Sequence, residues 1–186
     1  MKKWPSTTDI IKFFGLAEDY EEFASEGVAQ RGQLVHAASH MLAGGGDDPV
    51  WEARHPECHP YLEAYRKFLR EHDFRLAFAE HEFKSRTLRF ISHPDQIGNL
   101  DGFNSVLELK SGGLPRWVRL QTAGQVLAID LPTIRRFALH LKANGTYRLV
   151  PHEDFRDMDR FRSMVDTWWT IQEFGNGKLS TSTRTR

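Results

Sequence analysis

Asp95 and the run Glu108-Leu109-Lys110 are the residues of this 186-residue chain whose types and spacing point most directly to chemistry. Two carboxylates can hold a hard divalent cation such as Mg²⁺, which prefers oxygen ligands and keeps waters that a substrate can displace. An ammonium two residues beyond the second carboxylate can orient or deprotonate an attacking water and offset charge on a pentacovalent phosphate. The rival account is structural. Alternating charges are common on strands, and an isolated Glu-x-Lys serves equally well as a surface ion pair. Pro94-Asp95, thirteen residues upstream of Glu108, is what separates this chain from that ordinary case.

The chemistry requires the two segments to lie side by side. Asn99-Leu100-Asp101-Gly102 carries turn chemistry between two runs of strand-like composition, which predicts a hairpin. Period-two alternation then puts Glu108 and Lys110 on one face of the second strand and Leu107 and Leu109 on the other. Upstream, Thr7 or Thr8 is placed to cap a short helix that Gly15 stops, and a longer helix is expected from about Tyr20 to Leu42, ended by Gly44-Gly45-Gly46. Asp47 to Cys58 reads as a Pro-containing loop. Tyr61, Leu62, Tyr65, Phe68 and Leu69 form an apolar stripe at helical spacing.

Strand character starts near Arg75, with Leu76, Phe78 and Glu80 alternating with Ala77, Ala79 and His81, and resumes from Leu88 to Ile97. Beyond the hairpin come a helix from Trp117 to Ile129, strands over Arg135–Lys142 and Thr146–Val150, and a closing amphipathic helix from Glu153 to Phe174. This order predicts one α/β domain over residues 1–174, a central mixed β-sheet flanked by helices, followed by a polar, flexible tail over 175–186.

Composition narrows the possibilities. Twenty-five basic and 25 acidic residues give zero formal net charge, so global charge neither supports nor excludes a nucleic-acid partner. Cys58 is the only cysteine, which rules out an internal disulfide and a four-thiolate iron–sulfur cluster. No apolar run approaches the roughly 20 residues that span a bilayer, and Met1-Lys2-Lys3 leads into Trp4-Pro5-Ser6 and not into a hydrophobic stretch. A cytoplasmic protein is expected.

Four blocks occur in order between Ala29 and Ala128: Gly32-Gln33-Leu34-Val35-His36; Glu80, with Phe78 before it and Arg89-Phe90 after it; His93-Pro94-Asp95-Gln96-Ile97-Gly98 with Leu107 to Gly112; and Leu120-Gln121-Thr122-Ala123-Gly124-Gln125. Together they resemble the PD-(D/E)XK nuclease superfamily, in the RecB-like exonuclease branch found in phages and recombination systems. The first block resembles that branch's G-x-x-V-H motif, the third its core metal motif, and the last its Q-x-x-x-Y helix motif. Ser92 stands where a glycine is usual, and Gln125 replaces the tyrosine. The missing cysteines limit the resemblance to cluster-free relatives.

The resemblance implies a restriction-endonuclease-like core and a site using Mg²⁺ or Mn²⁺. Asp95 and Glu108 would be metal ligands, the backbone carbonyl of Leu109 a third, and His36 a further one. Lys110 would serve the attacking water. Glu80 would bind a second cation or a metal-bound water, with Glu82 as its rival on the same face. Gln121 would contact the scissile phosphate and Gln125 would lie beside it. The bare side of Gly32 would let its helix approach the sheet closely.

Arg116, Trp117 and Arg119 suit phosphate contacts and stacking on an unpaired base. Arg135 and Arg136 offer a second phosphate site that at most one of them can join. His40 lies one helical turn after His36 but lacks the glutamate of an H-E-x-x-H zinc hydrolase. His55, Cys58 and His59 are spaced to form part of a zinc site. The expected function is a metal-dependent DNA exonuclease acting in recombination, repair or phage DNA processing in a bacterial or phage-infected cell, with a possible recombination or replication partner protein. The alternative is a non-catalytic module on a nuclease fold that binds DNA ends or such a partner.

Overall fold

Ser6 caps the first helix, α1 (Thr7–Phe13): its Oγ accepts from the Asp9 N–H at 3.0 Å, and the Asp9 carboxylate accepts from the Ser6 N–H at 2.9 Å. This reciprocal capping box places the cap one residue before Thr7. The computed structural model describes residues 3–17 and 26–175. Helix α2 (Glu26–Ala43) covers the described part of the helix expected from Tyr20; that start lies outside the described residues, as do residues 176–186 of the expected tail. A short helix, α3 (Pro49–Arg54), forms where a loop was expected. Proline suits the first helical position, and Asp48 Oδ1 accepts from the Trp51 N–H at 2.9 Å, so Asp48-Pro49 starts a helix here.

Helix α4 (His59–Glu71) precedes strands β1 (Phe74–Ala79), β2 (Phe83–Ser85), β3 (Phe90–Ser92), β4 (Gln96–Leu100) and β5 (Phe103–Lys110). Helix α5 (Val118–Ile129), strands β6 (Arg135–Leu141) and β7 (Tyr147–Pro151), and helix α6 (Arg156–Phe174) follow. Five strands form one sheet in the order β1-β4-β5-β6-β7, with β5 and β6 parallel and the other neighbours antiparallel. Strands β2 and β3 pair separately as a two-stranded ribbon. The expected alternation through Glu80 is therefore interrupted: β1 bulges between Leu76 and Phe78, ends at Ala79, and Glu80 takes a left-handed φ of 51°.

The hairpin of β4 and β5 is fixed by its turn. Asp101 and Gly102 both have positive φ, 51° and 88°, as a type I′ turn requires. Leu107, Leu109, Leu139 and Leu141 pack against α2 and α4, on Val35, Ala38, Tyr61, Leu62, Tyr65 and Phe68. On the opposite face Ile97 and Val106 meet Val126 of α5, while α1, α5 and α6 enclose a second core around Ile10, Ala123, Phe161 and Val165. The architecture is a mixed five-stranded sheet between helical layers.

Two glycines permit close contacts in this arrangement. A Cβ at Gly98 would strike the Arg75 carbonyl oxygen, and one at Gly124 would lie 2.6 Å from Thr7 Cγ2 and 2.8 Å from the Phe161 ring. Gly32 does not have that role. A Cβ there would meet only Ser111 Oγ at 3.7 Å, an ordinary contact, so no close helix–sheet approach depends on it.

Candidate metal centre

The β4–β5 register brings the first carboxylates together. Gln96 pairs with Leu107 and Ile97 with Val106, so Asp95, one residue before β4, falls opposite Glu108. Glu80 follows β1 directly, and its N–H donates to the Asp95 carbonyl at 3.2 Å. Three acidic residues thus line the ends of three neighbouring strands. Asp95 is 6% exposed and Glu108 1%.

Asp95 and Glu108 are held by hydrogen bonds. Asp95 Oδ2 accepts from the Leu109 N–H at 2.6 Å, and Asp95 Oδ1 lies 3.6 Å from His36 Nδ1 of α2. One ligand atom from each of His36, Glu80 and Asp95 falls within 4.8 Å of the others. Glu108 is not one of that trio. Its Oε1 accepts from Lys110 Nζ at 2.6 Å and its Oε2 from Gln125 Nε2 of α5 at 2.6 Å. Lys110 Nζ also lies 5.7 Å from the centroid of the Trp117 ring, within cation–π range.

Burial and like charge shape the electrostatics. Desolvation, then the Glu108 charge, hold the Asp95 carboxyl well above the usual carboxylate range, with Lys110 opposing them. Glu80 is raised for the same two reasons. Burial brings His36 down to about 4 despite the pull of Glu108. At neutral pH its imidazole is uncharged, the form that binds a metal. Three carboxylates share the end of the sheet with one ammonium, which leaves an excess of acid.

Other sequence candidates separate clearly by position. Glu82 is exposed and pairs with Lys84 at 2.8 Å and His93 at 3.4 Å, so Glu80 is the glutamate that joins the cluster. Gln121 lies one turn before Gln125 on α5, and its buried Oε1 has no hydrogen-bond partner among the described residues. His40 stacks 6.4 Å from His36 without joining the trio.

Arg119 is engaged elsewhere, donating to Asp157 at 3.1 Å and Asp154 at 3.2 Å. Arg136 is buried and donates to the backbone carbonyls of Arg119 and Asp154, while Arg135 stacks 3.3 Å from the Phe103 ring centroid at the other end of the sheet. Arg116 is exposed and Trp117 is half-buried against the second core.

His55, Cys58 and His59 do not converge on a metal. Burial pushes the Cys58 thiol up to about 11; His55 stacks on Trp51 with centroids 4.5 Å apart, and His59 meets Glu52 at 2.6 Å. Glu52, His59 and Glu63 do cluster, but the Arg66 guanidinium already donates to both glutamates there. Sequence reasoning missed the contact between Gln125 and Glu108. The available signal was the second oxygen of a buried glutamate, which needs a donor beyond Lys110.

Among the described residues, no helix is long and apolar enough to cross a membrane. No family model matches the chain, and no curated protein matches it. Among solved structures the chain is similar to LHK-Exo in complex with dAMP, at 12% identity and a TM-score of 0.48, over 91% of this chain and 88% of that one. It is likewise similar to an alkaline exonuclease, LHK-Exo from Laribacter hongkongensis, at 11% identity and a TM-score of 0.48 over the same shares.

Proposed function

We propose that this protein is a divalent-metal-dependent deoxyribonuclease that hydrolyses phosphodiester bonds at DNA ends. The observation that carries the proposal is the convergence of His36, Glu80 and Asp95 beside the Lys110–Glu108 pair. The donor set fits a divalent ion: two carboxylates and a neutral imidazole, in a place where acid outnumbers base. Its oxygens suit Mg²⁺, and its one nitrogen suits Mn²⁺ equally well. Each Glu108 oxygen accepts one hydrogen bond and keeps a second lone pair with which it would extend the set, and the Leu109 carbonyl would supply a further oxygen. An ion bound there would polarise the phosphoryl group and stabilise the leaving oxygen.

The chain's own residues do the rest. Lys110 Nζ, held by Glu108 and flanked by Trp117, donates to the attacking water and to the phosphate charge that develops. Gln125 keeps the Glu108 carboxylate from rotating. Gln121 offers an amide to the strand near the scissile phosphate, and Arg116 with Trp117 supplies a phosphate contact and an aromatic face. Action at DNA ends is supported by the sequence resemblance to the RecB-like branch, as is a setting in recombination, repair or phage DNA processing.

The test is to incubate the purified protein with linear DNA labelled at its 5′ or 3′ ends, and with circular DNA, in Mg²⁺, Mn²⁺ or EDTA. Loss of the linear label in either ion, with circular DNA spared and EDTA blocking cleavage, is the expected result. Binding to DNA ends without cleavage in any ion would replace this reading with that of a non-catalytic end-binding module.

A further inference from the structure

The turn that delivers Glu80 to the candidate metal centre also builds an aromatic cluster that the hydrolytic chemistry does not use. The Phe78 and His81 ring centroids are 5.2 Å apart, His81 and Phe83 4.9 Å, and Phe78 and Phe83 6.1 Å. Phe83 is anchored, packing against both cores of the α5 side. Phe78 and His81 are not: Phe78 is 48% exposed and His81 is exposed as well. They lie at the end of β1, an edge strand, where exposed aromatic surface invites association unless it has a use.

We infer that Phe78, braced edge-on by Phe83 and flanked by His81, offers a stacking platform for an unpaired nucleobase at the edge of the metal centre. The inference rests on the nuclease reading of that centre and adds a substrate preference to it. Strand register supports the placement. Phe78 pairs with Ile97, and Ile97 with Val106, so all three share the α5-facing side of the sheet. Glu80 follows Phe78 by two residues, just past the end of β1, and its N–H donates to the Asp95 carbonyl at 3.2 Å. The Cα atoms of Phe78 and Glu80 are therefore about 7 Å apart. The left-handed φ of Glu80 folds His81 and Phe83 back against Phe78, so one six-residue turn fixes both the rings and the carboxylate.

Aromatic faces stack on any base, because every base presents a π surface. A base paired and stacked inside a duplex cannot use the platform without first leaving the helix. The platform therefore favours single strands and frayed ends over blunt duplex ends, with no sequence preference. A base resting on Phe78 brings its own phosphate within reach of an ion held by the Glu80 carboxylate on the same turn.

The test uses the full chain and a single-stranded oligonucleotide carrying 2-aminopurine at one end. Fluorescence quenching and affinity are read with Ca²⁺ and with EDTA, and cleavage of the same oligonucleotide with Mg²⁺ and Mn²⁺. Quenching by the unmutated chain is expected. Phe78→Ala should lose it and bind about 10-fold more weakly, while Phe78→Trp restores both. Absence of quenching by the unmutated chain, or quenching and affinity unchanged in Phe78→Ala, overturns the platform. Quenching lost in Phe78→Ala but with no cleavage by any variant in either ion would keep the platform and discard the hydrolytic reading.

Discussion

Helix α5 lies between two clusters of charged residues built from similar parts, and they differ in how their charges are matched. On one side Arg119 belongs to a network in which Asp157 accepts from Arg119 at 3.1 Å and Arg160 at 2.9 Å and lies 3.5 Å from Arg136. Arg156 holds the neighbouring Asp154 carboxyl well below the usual range. On the other side Gln125 meets Glu108, and the Asp95 carboxyl is pushed upward by burial and by a second carboxylate. The arginine network satisfies every acid with cations at hydrogen-bonding distance. The metal-centre cluster gives three acids a single ammonium. A buried acid left short of cations destabilises the fold, and an arriving cation would relieve it.

The sharpest way to break this contrast is to remove an acid from each side. Asp95→Asn keeps an oxygen for the Leu109 N–H but removes a charge, and should lower kcat at least about 10³-fold without lowering Tm. Lys110→Ala should cost about 10²- to 10³-fold. Both are read by end-labelled DNA hydrolysis beside thermal unfolding. Asp157→Asn should do the reverse: about 3–5 kcal/mol less stable in urea denaturation, because buried guanidinium charge loses its partner, with kcat close to that of the unmutated chain. If Asp95→Asn destabilises as much as Asp157→Asn, the two clusters are the same kind of object and the functional distinction fails.

Much of this arrangement was legible in the sequence because it depends on local rules. Asp101-Gly102 fixes the hairpin register, and the two-residue period sends Leu107 and Leu109 into the core while Glu108 faces α5. Less was legible where one residue changes the chain's direction. Nothing in the types of Glu80 or its neighbours reveals a left-handed backbone, so β1 read as longer than it is, and β3 read as one strand with the start of β4. Pro49 read as a breaker, although at the first position of α3 it starts the helix. Arg119 read as a phosphate contact because Asp154 and Asp157 are distant in sequence and meet it only through packing.

His152 sharpens the comparison through pH. It is 7% exposed, accepts or donates at 2.9 Å with Thr122 of α5, and is held down to about 4 by burial and then by the positive charge of Arg136 and Arg119. Above the unfolded value of 6.5 both states are neutral and His152 adds no pH dependence. As pH falls from 6.5 toward 4 only the unfolded state takes the proton, so folding loses stability, by about 3 kcal/mol in total. Urea unfolding across that window should show the loss, to which buried His36 contributes as well, and His152→Gln should remove the His152 share and leave a shallower slope. An unchanged slope would mean that neither burial nor the charge of Arg136 and Arg119 holds His152 down.

The smallest expected effect tests the hydrogen bond by which Gln125 of α5 bears on the metal-centre cluster. Gln125 Nε2 donates to Glu108 Oε2 at 2.6 Å, and its own Oε1 is buried with no hydrogen-bond partner among the described residues. A glutamine there solely for stability would be replaceable by Leu at a cost of about 1–3 kcal/mol for the stranded Glu108 oxygen. If its function is to orient Glu108, Gln125→Leu should also lower kcat/KM by about 10- to 100-fold and shift the Mg²⁺ or Mn²⁺ titration midpoint upward. Gln125→Glu should shift it differently, since a further carboxylate beside Glu108 binds cations while repelling its neighbour. A loss of stability with an unmoved midpoint would place Gln125 with Arg119 and Arg136, as a buried polar group that is paired and nothing more.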